Sequence, residues 1–470
     1  MNSTVTLPLW LFILILLFAI VTFASHFLFP SVRWFFRRRL ERAVSRLNAR
    51  LKRPIQPFKL ARRYDMIQRL TYDPQVIQAV AEHAESEGIP ENVAAEMARR
   101  YAREIVPAFS ASAYFGFAIR AARFLSNALF RVRLGELDEE ALDRIDPDAT
   151  VVFVMNHRSN MDYVLVTYLA AERSALSYAV GEWAQVWPLS RLIRAMGAYF
   201  IRRKSRNELY RRVLARYVQL ATEAGVAQAM FPEGGLSRSG ALMPPKLGLL
   251  KYIIDGCDTS KRDVVFVPVA LNYDRVLEDR ILTAAASDPD NRINAGLGVV
   301  TRNALSQIWL RMTGRYHRFG YAAVSFGQPL SLAAFAAAHD RDPTRLIARE
   351  MMKRIGAIVP VLPVPLLCCL LEKNGAMTRS EVERGFTEMF HAMPEAHIHV
   401  PRENRDYAVE VALRHLVKRG ILTETDGRFV PDEDQRHLIT FYANSIRHLT
   451  TFSNPSDSAP AKEPSAPARS

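Results

Sequence analysis

Six short apolar segments recur between residues 149 and 330, and no other feature of the chain limits its fold so tightly. They are Thr150–Met155, Leu176–Val180, Ala198–Ile201, Val226–Phe231, Val264–Leu271 and Ala322–Phe326. Between several of them lie stretches of helical period, such as "RNELYRRVLARYVQLATEAG" and "PPKLGLLKYIIDGC". Strands alternating with helices predict an α/β layer, a central mostly parallel sheet flanked by helices. Reactive groups in such layers gather where strands end.

The rest of the chain organises around that layer. At 470 residues and 49% apolar composition, the chain can bury a large core and hold more than one domain. From Leu7 to Phe29 it reads "LPLWLFILILLFAIVTFASHFLF". That run is long enough to cross a bilayer core of about 30 Å at about 1.5 Å per residue. Nothing before it is basic, so a retained transmembrane anchor is expected over residues 1–30 instead of a cleaved signal peptide. Arg33, Arg37, Arg38, Arg39, Arg42, Arg46, Arg50, Lys52 and Arg53 follow at once. The positive-inside rule then predicts a single-pass protein with its body on the cytoplasmic side.

The formal charge of +14 asks for a polyanionic partner. Trp34, Phe35 and Phe36 interleave with the arginines beside the apolar run, which suits anionic membrane lipids better than nucleic acid. Residues 31–145 read as this basic flank plus a helical domain, and 146–335 as the α/β domain. A mainly helical C-terminal domain is expected over 336–452, and a disordered Ser/Pro/Ala tail over 453–470. The segment "SAYFGFAIRAARFLSNALFRVRLG" reads as a helix packed on the next domain, with membrane contact as the second reading. Within the C-terminal domain, "HIHVPRENRDYAVEVALRHLVKRGILTETDGRFV" resembles the helix, helix and hairpin of a winged helix. "IVPVLPVPLLCCLL" is too short and proline-broken to be a second span. Only Cys257, Cys368 and Cys369 occur, which excludes a disulfide framework or a spaced zinc motif. His397 and His399 lack a third ligand, so no metal is expected.

Chemistry concentrates in "VVFVMNHRSNMDY", where a buried strand ends in His157 and a carboxylate follows at Asp162. A neutral imidazole can take a proton from a hydroxyl, and a carboxylate on its other nitrogen fixes the tautomer and stabilises the imidazolium. Five residues correspond to about 500° on an ideal helix, so the chain must turn at His157 for the pair to meet. Neither Ser159 nor "GGLSRSG" forms a G-x-S-x-G elbow, so the proton is expected to come from a substrate alcohol. Alone, the H-x₄-D spacing is a weak signal. It gains weight from "GAYFIRR", ending in Arg202 and Arg203, and from "FPEGGLSRSG", with Glu233, Gly234, Gly235, Ser237 and Arg238. Guanidinium forks and glycine-exposed N–H groups both suit a phosphate-bearing substrate. "FVPVALNYD" adds a strand carrying Pro268.

In that order, "HRSNMDY", "GAYFIRR", "FPEGGLSRSG" and "VPVALNYD" resemble the four blocks of the glycerol-3-phosphate acyltransferase family, within the wider glycerolipid acyltransferases. The likeness extends to the ending "FYANSIRHL" and covers most of residues 85–450. It implies a glycerolipid acyltransferase core that moves a fatty acyl group from an acyl-CoA or acyl-carrier-protein (acyl-ACP) thioester to the sn-1 hydroxyl of glycerol 3-phosphate. No further cofactor is implied. By position, His157 resembles the general base and Asp162 its partner. Arg158, Ser159, Arg202, Arg203, Glu233, Gly234, Gly235, Ser237 and Arg238 resemble the substrate-binding set, and Pro268 lies in the block associated with the acyl donor. Leu236 stands where the family commonly has arginine, which leaves a lysophosphatidate or another glycerolipid open as acceptor; a non-catalytic lipid-binding scaffold is a separate alternative, disfavoured by the intact His157 and Asp162. Arg203 or Lys204 is the expected replacement for the missing charge.

Overall fold

Strand-forming runs that are apolar on both faces must be covered on both faces, and the computed structural model shows that arrangement. It describes residues 8–169, 175–181, 189–202, 207–287, 319–339, 342–393, 398 and 405–450. Two compact units emerge, one holding the first helix and the other running from Gln56 onward.

The first unit is dominated by a single 40-residue helix, Leu9–Asn48. It ends where the Asn48 side-chain oxygen accepts the Ile55 N–H at 2.9 Å. Among the described residues no helix is long and apolar enough to cross a membrane. The anchor expected over Leu7–Phe29 lies partly outside the residues whose side chains are described. The side chains of residues 23–37 lie outside the described set.

The second unit is built on an eight-stranded sheet. Its strands are β1 (Arg131–Leu137), β2 (Thr150–Met155), β3 (Ser177–Gly181), β4 (Tyr199–Ile201), β5 (Gln228–Met230), β6 (Val264–Tyr273), β7 (Tyr321–Phe326) and β8 (Leu330–Ser331). The order is β1-β7-β6-β2-β5-β3-β4, with β8 paired to β6. β2, β3, β4, β5 and β6 are mutually parallel, while β7 runs antiparallel to β6 and carries β1 parallel to itself. The six expected strands are β2–β7, with ends displaced by up to two residues. β1 is the exception, a strand inside the stretch read as helical. Arg131 and Arg133 flank a half-buried Val132 there and Leu134 is exposed, so this edge strand lacks the apolar alternation that would mark it.

β2 and β6 are buried along their whole lengths. Their register, Thr150 opposite Val264 through Met155 opposite Val269, makes them the spine of the core. Helices Pro74–Glu87 and Glu91–Ile105 pack on helix Glu208–Glu223, which the Thr150 hydroxyl ties to β2 by donating to the Thr222 carbonyl at 2.7 Å. Beyond the sheet, helix Pro363–Asn374 buries Leu366, Leu367 and Cys368 completely, so the proline-broken run is a packed helix with Pro363 at its first position. A small winged unit follows. Strand β9 (Met377–Thr378) opens helix Arg379–Ala392 through a capping box of Thr378 and Glu381. Helix Arg405–Lys418 then leads to the hairpin of β10 (Leu422–Thr425) and β11 (Arg428–Pro431). Asp426 and Gly427 turn that hairpin at φ 51° and 73°, values for which Asp-Gly is well suited. Of the winged-helix reading, the hairpin and one helix lie where expected. The other helix precedes the quoted stretch. His397, His399 and the tail beyond Thr450 are outside the described residues.

Candidate active site

β2 ends at Met155, and the chain must turn away without leaving β6 unpaired. Asn156 solves this with its side chain, accepting the Leu271 N–H at 2.8 Å and donating to the Leu271 carbonyl at 3.0 Å. The turn that follows places His157 at the sheet edge and delivers Asp162 in the first turn of helix Met161–Leu169. Four donors converge on the Asp162 carboxylate. Oδ2 accepts from His157 Nδ1 at 2.9 Å, from the Arg158 N–H at 2.7 Å and from the Ser159 N–H at 3.0 Å. Oδ1 accepts from the Tyr273 hydroxyl at 2.7 Å.

Since a carboxylate can only accept, Nδ1 carries the imidazole proton and Nε2 keeps its lone pair. The ring is further fixed by stacking on Phe231, centroids 4.0 Å apart and planes 23° apart, with Tyr163 edge-on at 5.5 Å. His157 is 1% exposed and Asp162 is fully buried. Chemically, this is a base with one free nitrogen and a held counter-charge.

β5 lies beside β2, so the glycine-rich segment after Phe231 falls next to the histidine. Ser237 donates its N–H to the His157 carbonyl at 3.1 Å, and its hydroxyl donates to the Ala241 carbonyl at 2.6 Å. Gly234 turns the chain at φ +68°, and a Cβ there would lie 2.7 Å from Lys246 Cδ. The Lys246 N–H closes the loop onto the Pro232 carbonyl at 2.8 Å, which lays the lysine side chain across the Gly234–Gly235 turn.

Two buried charges sit in the same place. Glu233, 2% exposed, has no hydrogen-bond partner for either carboxylate oxygen among the described residues. Burial pushes its pKa up to about 7, against the pull of the Arg158 charge and of the His157 and Met243 backbone, which lie near without hydrogen-bond alignment. Arg158 is 3% exposed; Nη2 donates to the Ser445 carbonyl at 3.2 Å, while Nε and Nη1 find no partner among the described residues. Burial lowers its pKa, and the charges of Glu233 and Asp162 oppose that shift.

The structure therefore brings together His157, Arg158, Asp162, Glu233, Gly234, Gly235 and Ser237. Other residues of the expected set are engaged elsewhere. β4 is three strands from β2, about 14 Å at the usual spacing. Arg202, at its end, is held in a two-pronged ion pair with Glu104 and lies over the rings of Tyr101 and Tyr210. Arg238 is exposed and donates to the Ala285 carbonyl at 3.2 Å. The Ser159 hydroxyl donates to Glu278 at 2.8 Å and accepts the Met161 N–H at 3.2 Å, so it holds the turn together. Pro268 is buried within β6, opposite Val154, and its ring faces Gly327. Leu236 packs on the hydrophobic core. Arg203 and Lys204 lie outside the described residues.

Several supporting groups escaped the sequence reading. Tyr273 lies in "VALNYD", and its hydroxyl meets Asp162 only because β6 runs beside β2. Glu278 accepts from Ser159 Oγ and from both the backbone and the side chain of Asn160. Lys246 is a single lysine 12 positions beyond Gly234, joined to it only by the loop's return. The C-terminal segment adds a third set. Asn272 donates to Ser445 Oγ at 3.2 Å, Asn444 to the Ser239 carbonyl at 2.8 Å, and the Val276 N–H to the Tyr442 hydroxyl at 3.1 Å. Tyr442 and Arg419 both donate to the Asp279 carboxylate. No group of three or more His, Cys, Asp or Glu among the described residues is placed to hold a metal ion.

Comparison with known proteins bears on this arrangement. A family model described as Acyltransferase matches residues 137–272, and one described as Glycerol-3-phosphate acyltransferase C-terminal region matches 309–455. A "Glycerol-3-phosphate acyltransferase" from Alteromonas mediterranea is 27% identical, over 80% of this chain and 48% of its own length. One from Pseudomonas aeruginosa (strain PAO1) is 27% identical, over 83% and 49%. The chain thus spans about half the length of the curated relatives it matches. Among solved structures, the 1-acyl-sn-glycerophosphate (LPA) acyltransferase PlsC of Thermotoga maritima aligns at TM-score 0.32 and 18% identity, over 55% of this chain and 80% of that one, a likeness too slight to add weight. The two matched regions meet in the structure where Arg158 reaches Ser445 and Asn272 reaches the same serine. With both regions present in order, this chain belongs to the glycerol-3-phosphate acyltransferase family.

Proposed function

We propose that this chain transfers a fatty acyl group from an acyl-CoA or acyl-ACP thioester to the sn-1 hydroxyl of glycerol 3-phosphate, giving lysophosphatidate. The observation that carries the reading is the His157–Asp162 pair, with its proton assigned to Nδ1 and its ring clamped beside a glycine turn. His157 Nε2 takes the acceptor's hydroxyl proton as the oxygen attacks the thioester carbonyl. Asp162 stabilises the imidazolium, and backbone N–H groups stabilise the oxyanion. As the tetrahedral centre collapses, the C–S bond breaks and the proton passes from the imidazolium to the departing thiolate.

Lys246 supplies a cation beside the turn where Leu236 does not, and Arg158 has two donors to offer an anion. Lysophosphatidate as acceptor is the second reading, favoured by the apolar Leu236. The N-terminal helix is read as the membrane attachment, with the second unit on the cytoplasmic side.

The test is thiol release by the full chain with acyl-CoA, offering glycerol 3-phosphate or lysophosphatidate. Glycerol 3-phosphate is the expected acceptor, and His157→Ala is expected to lower kcat by about 10²–10⁴. Lys246→Ala is expected to raise KM for glycerol 3-phosphate without changing KM for the acyl donor. Turnover only with lysophosphatidate selects the second reading. Turnover by His157→Ala within a few-fold of wild type refutes both.

A further inference from the structure

We propose that Tyr273 is a positioning residue for the reaction, holding Asp162 in place and taking up part of its charge, so that strand β6 sets how firmly His157 keeps a proton. This rests on the acyl-transfer reading and adds a third member to its base. Three donors reach Asp162 Oδ2 from its own turn: His157 Nδ1 at 2.9 Å, the Arg158 N–H at 2.7 Å and the Ser159 N–H at 3.0 Å. The Tyr273 hydroxyl reaches Oδ1 at 2.7 Å from 111 positions away. A carboxylate only accepts, so the phenol is the donor. Donors grouped on one oxygen set the plane of a carboxylate loosely, because its terminal torsion is broad; a donor on the other oxygen sets it firmly.

The strand that supplies the phenol is itself well held. Tyr273 is buried, packs its ring on Phe130 with centroids 5.3 Å apart, and stands opposite Ala322 in β7. Leu271, two residues earlier, exchanges both backbone hydrogen bonds with the Asn156 side chain. β6 thus grips the turn at both ends, Asn156 through its backbone and Asp162 through a side chain. A ring that only filled space would need no oxygen, yet this one carries its hydroxyl to the carboxylate that supports the base.

The surroundings keep that donor in place. Burial first, then the charge and hydrogen bond of Asp162 and the charge of Glu278, hold the Tyr273 phenol well above its usual pKa, so it stays protonated while an imidazole titrates. A phenol that shares the carboxylate's charge leaves less of it to stabilise the imidazolium. Removing the hydroxyl therefore favours the protonated ring. Other titratable groups face the site from neighbouring elements: Arg158 in the turn, Glu233 after β5, Glu278 after β6, Tyr163 on the Asp162 helix, and His448, which the Arg158 charge reaches. Asp274, next along the chain, accepts the Tyr321 and Val364 N–H groups at 2.7 and 2.9 Å. Burial pushes Glu233 and Asp274 up to about 7, and both are present in every protein compared below, so differences between variants report position 273.

The test reads kcat from about pH 5 to 9, by thiol release from the full chain with acyl-CoA and whichever acceptor it turns over. Tyr273→Phe should move the acid limb to higher pH by about 0.5–1 unit, with both KM values within about two-fold of wild type. Tyr273→3-fluorotyrosine, a stronger donor that differs by one fluorine, should move the limb to lower pH. Tyr178→Phe is the control: that buried phenol pairs with Thr167 Oγ1 at 2.8 Å on the Asp162 helix, and its loss should leave the limb in place. Opposite shifts at position 273 are a signature that packing alone does not give. Limbs that coincide across wild type and both Tyr273 variants, that move in one direction, or that move as far with Tyr178→Phe overturn the inference and leave the acyl-transfer reading standing on the wild-type rate. A wild type without turnover overturns both. Where Tyr273→Phe does not fold, the fluorinated protein decides alone, and a limb at the wild-type position overturns the inference.

Discussion

Replacing Asp162 by asparagine separates its charge from its shape. The asparagine oxygen can still accept from His157 Nδ1, Arg158 and Ser159, and its amide can donate to Tyr273 once that hydroxyl turns to accept. The turn and the tautomer should therefore survive. What is lost is the negative charge 2.9 Å from a ring that becomes positive only during reaction. At that separation, with an effective dielectric of about 20, Coulomb's law gives about 6 kcal/mol. The amide dipole recovers part of this, leaving about 3–5 kcal/mol, or roughly 10²–10⁴ in rate. Because the imidazolium belongs to the transition state and not to the bound substrates, the loss should appear in kcat with both KM values nearly unchanged. Steady-state thiol release, measured while varying each substrate in turn, reads this directly. A kcat within ten-fold of wild type, or a loss confined to KM, would refute the assignment of Asp162 as the charge that supports His157.

Other consequences can be checked independently. Glu233 has its folded pKa raised from 4.5 to about 7, so it contributes stability below about pH 4.5 that is lost as pH rises through 7. Glu233→Gln removes that loss: between pH 4 and pH 9 the stability of the variant relative to wild type should improve by about 3 kcal/mol in urea unfolding, and a pH-independent difference would contradict the burial argument. Gly240→Ala would set a Cβ 1.8 Å from the Phe441 carbonyl oxygen at φ +80°, and should lower the melting temperature and the activity together. Gly427→Ala is the control, since its φ of +73° is strained but nothing lies within 4 Å, and it should cost only about 1 kcal/mol with activity intact.

The legible parts of the molecule were those with a local cause. Apolar runs announced β2 to β7, and the need for a bend at His157 followed from helix geometry alone. β1 was hidden because an edge strand with exposed arginines and an exposed Leu134 lacks the apolar alternation that would mark it. Arg202 illustrates a different limit: its sequence context suits a phosphate, yet strand order sets β4 three positions from β2 and gives the guanidinium to Glu104. Tyr273, Glu278 and Lys246 were illegible for the same reason, each becoming meaningful only when a distant strand or loop is laid beside it.

The longest of these connections has a consequence for how the protein is made. Arg158 and Ser445 are 287 positions apart, and helix Arg436–Asn444 presses on Gly240 while Asn444 bonds Ser239. A nascent chain can pair β2 with β5 long before that helix has left the ribosome, but the arginine beside the histidine then lacks its anchor. Chaperone occupancy during synthesis should accordingly persist until that helix emerges, and a chain stalled before it should remain protease-sensitive around the histidine.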